Sequence, residues 1–250
     1  MTVLYRWQFR TVKYYDVVMG TTRDSTAPRR RGRPPGSGGA ELLAIAREQF
    51  LSHGFRGATM DAIAARARIS KQTLYAAYPS KDALYAAVVR DWVNQGHDAL
   101  APHTQALLDG GSVEDGLRRL AGVLQAAILS EPVLQMRALV AAEAEAFPEV
   151  AAEYVARSWD RNLRRLARAL SMLTEQGRLA VEDPEIAAEQ FVWLIIGAPL
   201  NRLELTGTTN GYSRRRLDHI AEQGVETFLS RYGRPAPVNP TPSSRTDGHR

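Results

Sequence analysis

The chain has 250 residues, of which 44% are hydrophobic and 24% charged; this balance is typical of globular proteins, and the length fits one large domain or two modest ones. It contains no cysteine, which excludes disulfides, thiolate catalysis and cysteine-ligated metals. Residues 1–90 carry 15 Lys and Arg against 6 Asp and Glu, whereas residues 91–250 carry 17 Lys and Arg against 21 Asp and Glu. The excess of positive charge in the N-terminal part indicates a polyanionic partner. The alternative is a solvated basic tail without a partner.

The sequence predicts no transmembrane helix. Its longest apolar run, 191–200, is much shorter than the roughly 20 residues that a bilayer requires. Residues 1–19 are basic and aromatic and lack the apolar stretch of a signal peptide. One hypothesis is that they come from a misassigned start, with Met19 as the real initiator. Residues 20–40 are rich in Gly, Ser, Thr, Pro and Arg, so we expect residues 1–40 to form a disordered basic arm.

Four helices are predicted between Ala40 and Gln95. The apolar spacing of the first helix begins at Ala40, and Gly54 is placed to end it. Thr59, Ser70 and Ser80 each precede a helix-forming run and are side chains that cap helix N-termini. They predict two short helices followed by a longer helix over about 81–95.

The rest of the chain also reads as helices. Amphipathic or proline-started segments are predicted over 113–130, from 132, over 148–176, from 184 and over 217–232. There is no convincing strand and no internal repeat. The sequence therefore predicts an all-α fold of about nine helices, with a disordered tail over 233–250.

The short helices within residues 41–78 have helix-turn-helix spacing, with a tight turn at 66–70. Because Ser70 caps the third helix, we expect Lys71, Gln72 and Thr73 to face a DNA major groove. There a glutamine can bond adenine, and a lysine can reach guanine or a phosphate. The alternative is a generic three-helix packing unit with solvated lysines.

Residues 42–89 resemble the TetR family of bacterial regulators. The match is carried by Ala46, Phe50, Gly54-Phe55, Thr59-Met60, Ile63-Ala64 and the runs 70–75 and 78–84. The resemblance implies a DNA-binding domain over 41–88 and base reading by the first turn of the third helix. It also implies phosphate contacts by Thr59, Lys71, Thr73, Tyr75 and Lys81. The expected DNA-binding residues are Thr59, Arg68, Ser70, Lys71, Gln72, Thr73, Tyr75 and Lys81.

The chain departs from the family pattern in the turn and after it. The family usually has glycine where this chain has Arg68, and arginine in a left-handed conformation costs about 1 kcal/mol. Either the turn is altered, or Arg68 adds a phosphate contact. Ala76 and Ala77 stand where the family usually has histidine and an aromatic residue, so one frequent phosphate contact is missing.

A basic segment precedes the first helix. Arg31, Gly32 and Arg33, with the following proline, resemble the core of an AT-hook. Glycine lets the backbone enter a narrow A·T-rich minor groove, and the flanking arginines follow its negative potential. A solvated tail that gives only nonspecific phosphate attraction is the alternative.

The C-terminal half, from about residue 113 to 206, resembles the ligand-binding domain of an AefR-like branch of the same family, through the runs 137–149 and 183–191. The resemblance implies that residues 89–232 bind a small apolar effector and form a homodimer. Two apolar helices, one around 191–200 and the last, would pair across a two-fold axis; they could also be the core of a monomer. The candidate effector-lining residues are Met136, Val140, Phe147, Tyr154, Trp159 and Trp193.

Catalysis is not expected, because the five histidines are scattered and no catalytic or nucleotide-binding motif occurs. No metal or other cofactor is expected either. The sequence thus predicts a cytoplasmic, nucleoid-associated transcriptional regulator, by family default a ligand-responsive repressor that binds a palindromic operator as a dimer. An effector-independent architectural DNA-binding protein is one alternative, which the size of the C-terminal half disfavours, and a small-molecule enzyme is the other.

Overall fold

The computed structural model describes residues 39–96, 100–206 and 212–234. The predicted arm and tail lie outside these residues, apart from 39–40 and 233–234. Within them the chain forms eleven α-helices and one π-helical turn, and the only β pairing is an isolated bridge, so the all-α prediction is confirmed. The helices are α1 (Gly39–Gly57), α2 (Met60–Arg66), α3 (Lys71–Ala77), α4 (Lys81–Gln95), α5 (Ala101–Leu108), α6 (Val113–Ile128), α7 (Glu131–Ala142), α8 (Pro148–Val155), the π turn (Ala156–Asp160), α9 (Arg161–Glu175), α10 (Pro184–Thr206) and α11 (Arg214–Tyr232).

The predicted N-caps of α2, α3 and α4 form. The side-chain oxygens of Thr59, Ser70 and Ser80 each accept a hydrogen bond from the backbone N–H three residues ahead, at 3.2, 3.0 and 3.1 Å. Each bond satisfies an amide that has no partner inside its helix. The boundaries of the three helices are therefore set by local side chains.

The first helix ends later in the chain than predicted. The sequence places that end at Gly54, whereas α1 continues to Gly57. Gly54 has φ 69° and ψ 172°, so it kinks the helix rather than closing it. The extra turn brings the ring of Phe55 to 5.9 Å from that of Phe50, between centroids. The kink thereby adds an aromatic side chain to the core.

Two hydrophobic cores lie along the chain. The first joins α1–α4 with α7 and α8, and the second packs α5, α6, α9, α10 and α11. α4 passes without interruption through the predicted domain boundary between residues 88 and 89. The predicted DNA-binding unit therefore shares its core with Met136 of α7 and Val150 of α8.

Two segments depart from the sequence pattern. The stretch predicted as one helix over 148–176 is divided by the π turn into α8 and α9, although it ends as expected before Gly177, which has φ 70°. The helix α5 was not predicted from the sequence, because Pro102 is typical of a break between helices. Pro102 lies in the first turn of α5, where proline is tolerated because the missing N–H would have no helical partner.

A buried amide ties three helices of the second core together. Pro199 lies inside α10 and has no N–H, so the carbonyl of Ile195 lacks its usual helical donor. Gln125 of α6, which is 5% exposed, donates its side-chain N–H groups to the carbonyls of Ile195 at 3.2 Å and Leu217 at 2.9 Å. The irregularity of α10 is thus matched by a donor from α6.

Two kinds of feature are absent from the described ranges. No single helix there is long and apolar enough to cross a bilayer; only α6 and α7 taken together reach that length and composition, with a 58° bend between them. No group of three or more histidine, aspartate or glutamate side chains is arranged to hold a metal ion.

Candidate DNA-binding head and ligand cavity

The turn between α2 and α3 has the hydrogen bonds of a Schellman motif. The N–H of Arg68 donates to the carbonyl of Ala65, and that of Ile69 to the carbonyl of Ala64, both at 3.1 Å. Arg68 has φ 56° and is the only non-glycine residue with positive φ in the described part of the chain. The turn therefore keeps its geometry, and arginine takes the left-handed conformation that glycine usually supplies.

The first turn of α3 faces solvent on one side and the core on the other. Lys71, Gln72 and Thr73 are exposed, whereas Leu74 is fully buried. Tyr75, on the next turn, is 47% exposed. This is the orientation that a recognition helix requires, because the side chains at its N-terminal end must reach base edges.

The exposed side chains of this region contact one another. The ammonium nitrogen of Lys71 lies 2.6 Å from a carboxylate oxygen of Asp61 on α2, and both side chains are more than half exposed. The hydroxyls of Ser70 and Thr73 are 2.8 Å apart. Since an exposed ion pair contributes only about 0–1 kcal/mol, Lys71 can exchange Asp61 for a phosphate at little cost.

Lys81, for which the resemblance implies a phosphate contact, is bonded to backbone carbonyls instead. Its ammonium group donates to the backbone carbonyls of Phe55 at 2.9 Å, Ala58 at 3.2 Å and Arg56 at 3.4 Å. It also lies 4.5 Å from the centroid of the Phe55 ring. Lys81 therefore caps the C-terminal end of α1 with all three of its protons, and a phosphate contact would require it to give up these bonds.

The predicted DNA-binding residues belong to one helical unit. Seven of the eight are exposed, on the N-cap of α2, the turn or α3, and Lys81 is half buried. The seven are Thr59, Arg68, Ser70, Lys71, Gln72, Thr73 and Tyr75. The arm residues Arg31, Gly32 and Arg33 lie outside the described residues, and their minor-groove contact stays a prediction.

A cavity of about 210 Å³ lies among α4, α6, α7, the π turn and α9. Its walls are mainly apolar, with Leu124 of α6 and Leu166 of α9 among them. An apolar, partly enclosed cavity with a few polar groups is the usual form of a small-molecule site. The polar lining residues are Thr104, Ser130, Arg137, Tyr154, Ser158, Arg161 and Asn162.

Only part of the predicted effector set reaches this cavity. Tyr154 and Trp159 line it, the latter from the π turn. Met136, Val140 and Phe147 lie outside this lining and pack in the first core, so their contact with an effector stays a prediction. Apolar residues on α7 have two possible neighbours, the cavity and the helix-turn-helix unit α1–α3, which we call the head. The sequence pattern does not distinguish them.

Phe147 shows why these residues belong to the core. Its ring lies 4.9 Å from that of Phe55 and 5.1 Å from that of Tyr85, between centroids. It therefore joins the α7–α8 connection to α1 and α4. Burial, with a contribution from the carboxylate of Glu143, raises the pKa of Tyr85 to about 12, which keeps this hydroxyl protonated.

Trp193 is also outside the cavity lining. It is 50% exposed on α10, and its ring centroid lies 5.8 Å from that of Trp159. Ile186, Leu194 and Leu205 on the same helix are 47%, 40% and 78% exposed. This apolar helix is thus only partly buried within one chain.

α4 contacts the cavity near its C-terminal end and the head along its length. Trp92 of α4 lines the cavity, and the guanidinium of Arg47 on α1 lies 5.2 Å from its ring centroid. Arg90 of α4 donates to Glu153 of α8 at 2.7 Å. This hydrogen bond, assisted by one from Arg157, lowers the pKa of the Glu153 carboxyl below its usual value.

Trp92 and Arg137 line the cavity although neither was predicted from the sequence to do so. Trp92 had a detectable signal, since it is a large aromatic residue on the helix that leaves the predicted head. Arg137 lies within the run that resembles the AefR-like branch, but nothing in that run indicates the direction of its side chain. The π turn that presents Trp159 has no sequence signature here.

Both halves of the chain match known families. Residues 42–88 match the family described as "Bacterial regulatory proteins, tetR family", and residues 115–234 match "AefR-like transcriptional repressor, C-terminal domain". Among solved structures, one described as a TetR-family transcriptional regulator from Mesorhizobium loti is 30% identical, with a TM-score of 0.73 over 77% of this chain and 95% of that one. The flavonoid-responsive regulator FrrA is 29% identical, with a TM-score of 0.60 over 78% and 96%.

Two curated relatives match over shorter segments. An HTH-type transcriptional regulator of Mycobacterium tuberculosis is 39% identical over 80 residues, which is 32% of this chain and 36% of that protein. An HTH-type transcriptional repressor of Streptomyces coelicolor is 42% identical over 57 residues, which is 23% and 30%. The chain therefore spans about a third of the length of these curated relatives.

Proposed function

Because this chain belongs to the TetR family of bacterial transcriptional regulators, we propose that it is a ligand-responsive repressor that binds a palindromic DNA operator as a homodimer. Regulation of transcription through a helix-turn-helix follows from the family, whereas the effector, the symmetry of the operator and the dimer are the proposal. One observation carries it: α4 extends from the helix-turn-helix head to the wall of an apolar cavity.

The DNA contact is assigned to the exposed side of the α2–α3 unit. Lys71 and Gln72 are placed to read base edges, and Thr59, Arg68 and Tyr75 to contact phosphates. A dimer places two such heads about one DNA turn apart, and for this reason we propose a palindromic site. Operator binding locates the protein in the cytoplasm, at the nucleoid.

The dimer surface is assigned to the outer face of α10. Ile186, Trp193 and Leu194 are each at least 40% exposed there, and large exposed apolar side chains on one helix mark an interaction surface. α11 packs beside α10, so two copies would form a four-helix interface. The two-fold symmetry of such an interface matches that of the proposed operator.

The effector is assigned to the cavity, and α4 to the transmission of its binding. Trp92 contacts both the cavity and Arg47 of α1, so a ligand that displaces Trp92 also changes the packing of the head. Effector binding would then favour a state with lower operator affinity. The relative FrrA is flavonoid-responsive, and the aromatic wall formed by Trp92, Tyr154 and Trp159 suits an aromatic, largely apolar effector here as well.

A DNA-binding titration tests the proposal. Fluorescence anisotropy would follow the full chain on DNA from the intergenic region upstream of its gene, with random DNA as competitor. We expect one dimer per palindromic site and survival of the complex in excess competitor. Gln72→Ala should reduce the free energy of operator binding by about 1–3 kcal/mol and relax the preference at one base position. Lys71→Ala should weaken binding to all DNA sequences if Lys71 contacts a phosphate. If Lys71 reads a guanine, the loss should be confined to operators with that guanine.

Two outcomes would contradict specific parts of the proposal. Binding that random DNA abolishes would favour an architectural DNA-binding protein or a target elsewhere. A monomer on the DNA would contradict the α10 interface, and Trp193→Glu supplies the matched check, because a charge on that face should separate the dimer without entering the core.

A further inference from the structure

Two hydroxyl groups that line the cavity are used within the protein wall. The hydroxyl of Thr104 donates to the carbonyls of Leu100 and Ala101, both at 3.1 Å. The hydroxyl of Ser158 donates to the carbonyl of Tyr154 at 2.5 Å. Since a hydroxyl has a single proton, these groups have none left for a ligand.

Arg137 is a lining side chain that keeps hydrogen-bond donors beyond those used within the protein. Its Nε donates to Glu204 at 2.7 Å, and its side chain is 26% exposed. Its guanidinium carbon lies 5.7 Å from the centroid of the Trp159 ring. A guanidinium has five N–H donors, and the bond to Glu204 uses one of them, so donors remain on its terminal nitrogens. The other lining guanidinium, that of Arg161, donates to the carbonyl of Val93 at 3.4 Å.

Tyr154 is a second donor in the cavity lining. Its side chain is 8% exposed, and no described residue accepts a hydrogen bond from its hydroxyl. Desolvation raises the pKa of this hydroxyl, opposed in part by the nearby charge of Arg137, so it remains protonated at neutral pH. Arg137, Tyr154 and Trp159 all line this mainly apolar cavity, and we call the three residues the donor corner.

The charge of the donor corner is already compensated. Glu204 neutralises Arg137, so a ligand carboxylate would compete with Glu204 and lose its own hydration among apolar walls. A ligand cation would face the guanidinium itself. A neutral acceptor, such as a ketone oxygen, needs only the remaining N–H and O–H donors and carries little desolvation cost.

We propose that the effector is an uncharged aromatic molecule whose carbonyl or similar acceptor oxygen is bound by Arg137 and Tyr154, with its rings between Trp92 and Trp159. This inference rests on the proposed role of the cavity as the effector site. A cavity of about 210 Å³ accommodates a bicyclic ring system, since an apolar cavity of about 150 Å³ holds benzene. Glu204 is the residue that sets the preference for a neutral acceptor over an acid.

The test uses four naphthalenes of equal ring size on the full chain: 2-acetylnaphthalene, 2-ethylnaphthalene, 2-naphthoic acid and 2-(aminomethyl)naphthalene. Quenching of tryptophan fluorescence, to which Trp92 and Trp159 of the cavity contribute, and the shift in melting temperature report binding without DNA. We expect the ketone to bind about 10-fold more tightly than the ethyl compound, and more tightly than the acid and the amine.

Three variants assign the preference. Arg137→Met should remove the advantage of the ketone over the ethyl compound, and Tyr154→Phe should reduce it. Glu204→Gln leaves the guanidinium uncompensated and should raise the affinity for naphthoate at least 10-fold relative to the ketone. Arg168→Met, a matched change at an exposed residue of α9 outside the cavity, should alter none of these ratios.

Each failure has its own meaning. Tightest binding of the acid or the amine to the unmodified protein would overturn the neutral-acceptor inference and leave the cavity as an effector site. An unchanged naphthoate-to-ketone ratio in Glu204→Gln would overturn the role of Glu204. If none of the four compounds binds while the operator is still bound, the cavity is not the effector site, and both the inference and that part of the proposed function are wrong.

Discussion

Replacing Arg68 with glycine separates the two effects of this residue, backbone strain in the turn and positive charge near DNA. At φ 56° an L-residue loses about 1–2 kcal/mol relative to glycine, which has no Cβ to clash. Glycine also increases the conformational entropy of the unfolded chain, which lowers the free energy of unfolding by about 0.4–1 kcal/mol. The difference predicts that Arg68→Gly raises the free energy of unfolding by about 0.5–1 kcal/mol.

The control for this prediction is Arg68→Ala, which removes the same charge but keeps the Cβ. Its stability should stay within about 0.5 kcal/mol of the original, whereas the melting temperature of Arg68→Gly should rise by about 1–4 °C. Both variants should lower the slope of operator affinity against salt by about 1 if Arg68 contacts one phosphate. Equal melting temperatures for the two variants would refute the strain argument, and an unchanged salt slope in both would refute the phosphate contact.

Three further predictions concern side chains that connect helices. Lys81→Met should lower the free energy of unfolding by about 1–3 kcal/mol, because it leaves carbonyls at the end of α1 without a donor. If Lys81 acts mainly as this cap, the dependence of operator affinity on salt should not change. Gln125→Leu should cost a similar amount, about 1–3 kcal/mol in chemical denaturation, because the carbonyl of Ile195 is then buried without a partner. The lowered pKa of Glu153 means that its stabilising effect is present above the unfolded pKa of about 4.3 and is lost as the pH falls through the folded value. Glu153→Gln should therefore be most destabilising at neutral pH, and the difference from the original should shrink below about pH 4; a pH-independent difference would contradict the bond from Arg90.

Local signals account for the parts of the fold that were predicted well. Thr59, Ser70 and Ser80 cap their helices as expected because each bond spans only three residues, so the information lies within one turn of chain. The solvent-facing first turn of α3 follows from the same cap and from the burial of Leu74. Even the departure at Arg68 was visible, because a left-handed turn position is defined by its place in the motif.

Features that depend on distant neighbours were predicted poorly. Lys81 looks like a surface cation in the sequence, but its partners are carbonyls more than twenty residues away on α1. Met136 and Trp159 are both apolar residues of the C-terminal half, yet Met136 packs in the first core and Trp159 lines the cavity. Hydrophobic periodicity shows that such a side chain is buried and does not show against which helix.

The sequence by itself determined the all-α class, the helix-turn-helix, its outward-facing residues and the family. Only the tertiary structure decided that α4 connects the head to a cavity, that a π turn presents Trp159, and that Glu204 neutralises Arg137. The physical reason is the range of the interactions: caps, turns and periodicity act within a few residues, whereas a cavity and its charge balance arise only when helices far apart in the chain pack together.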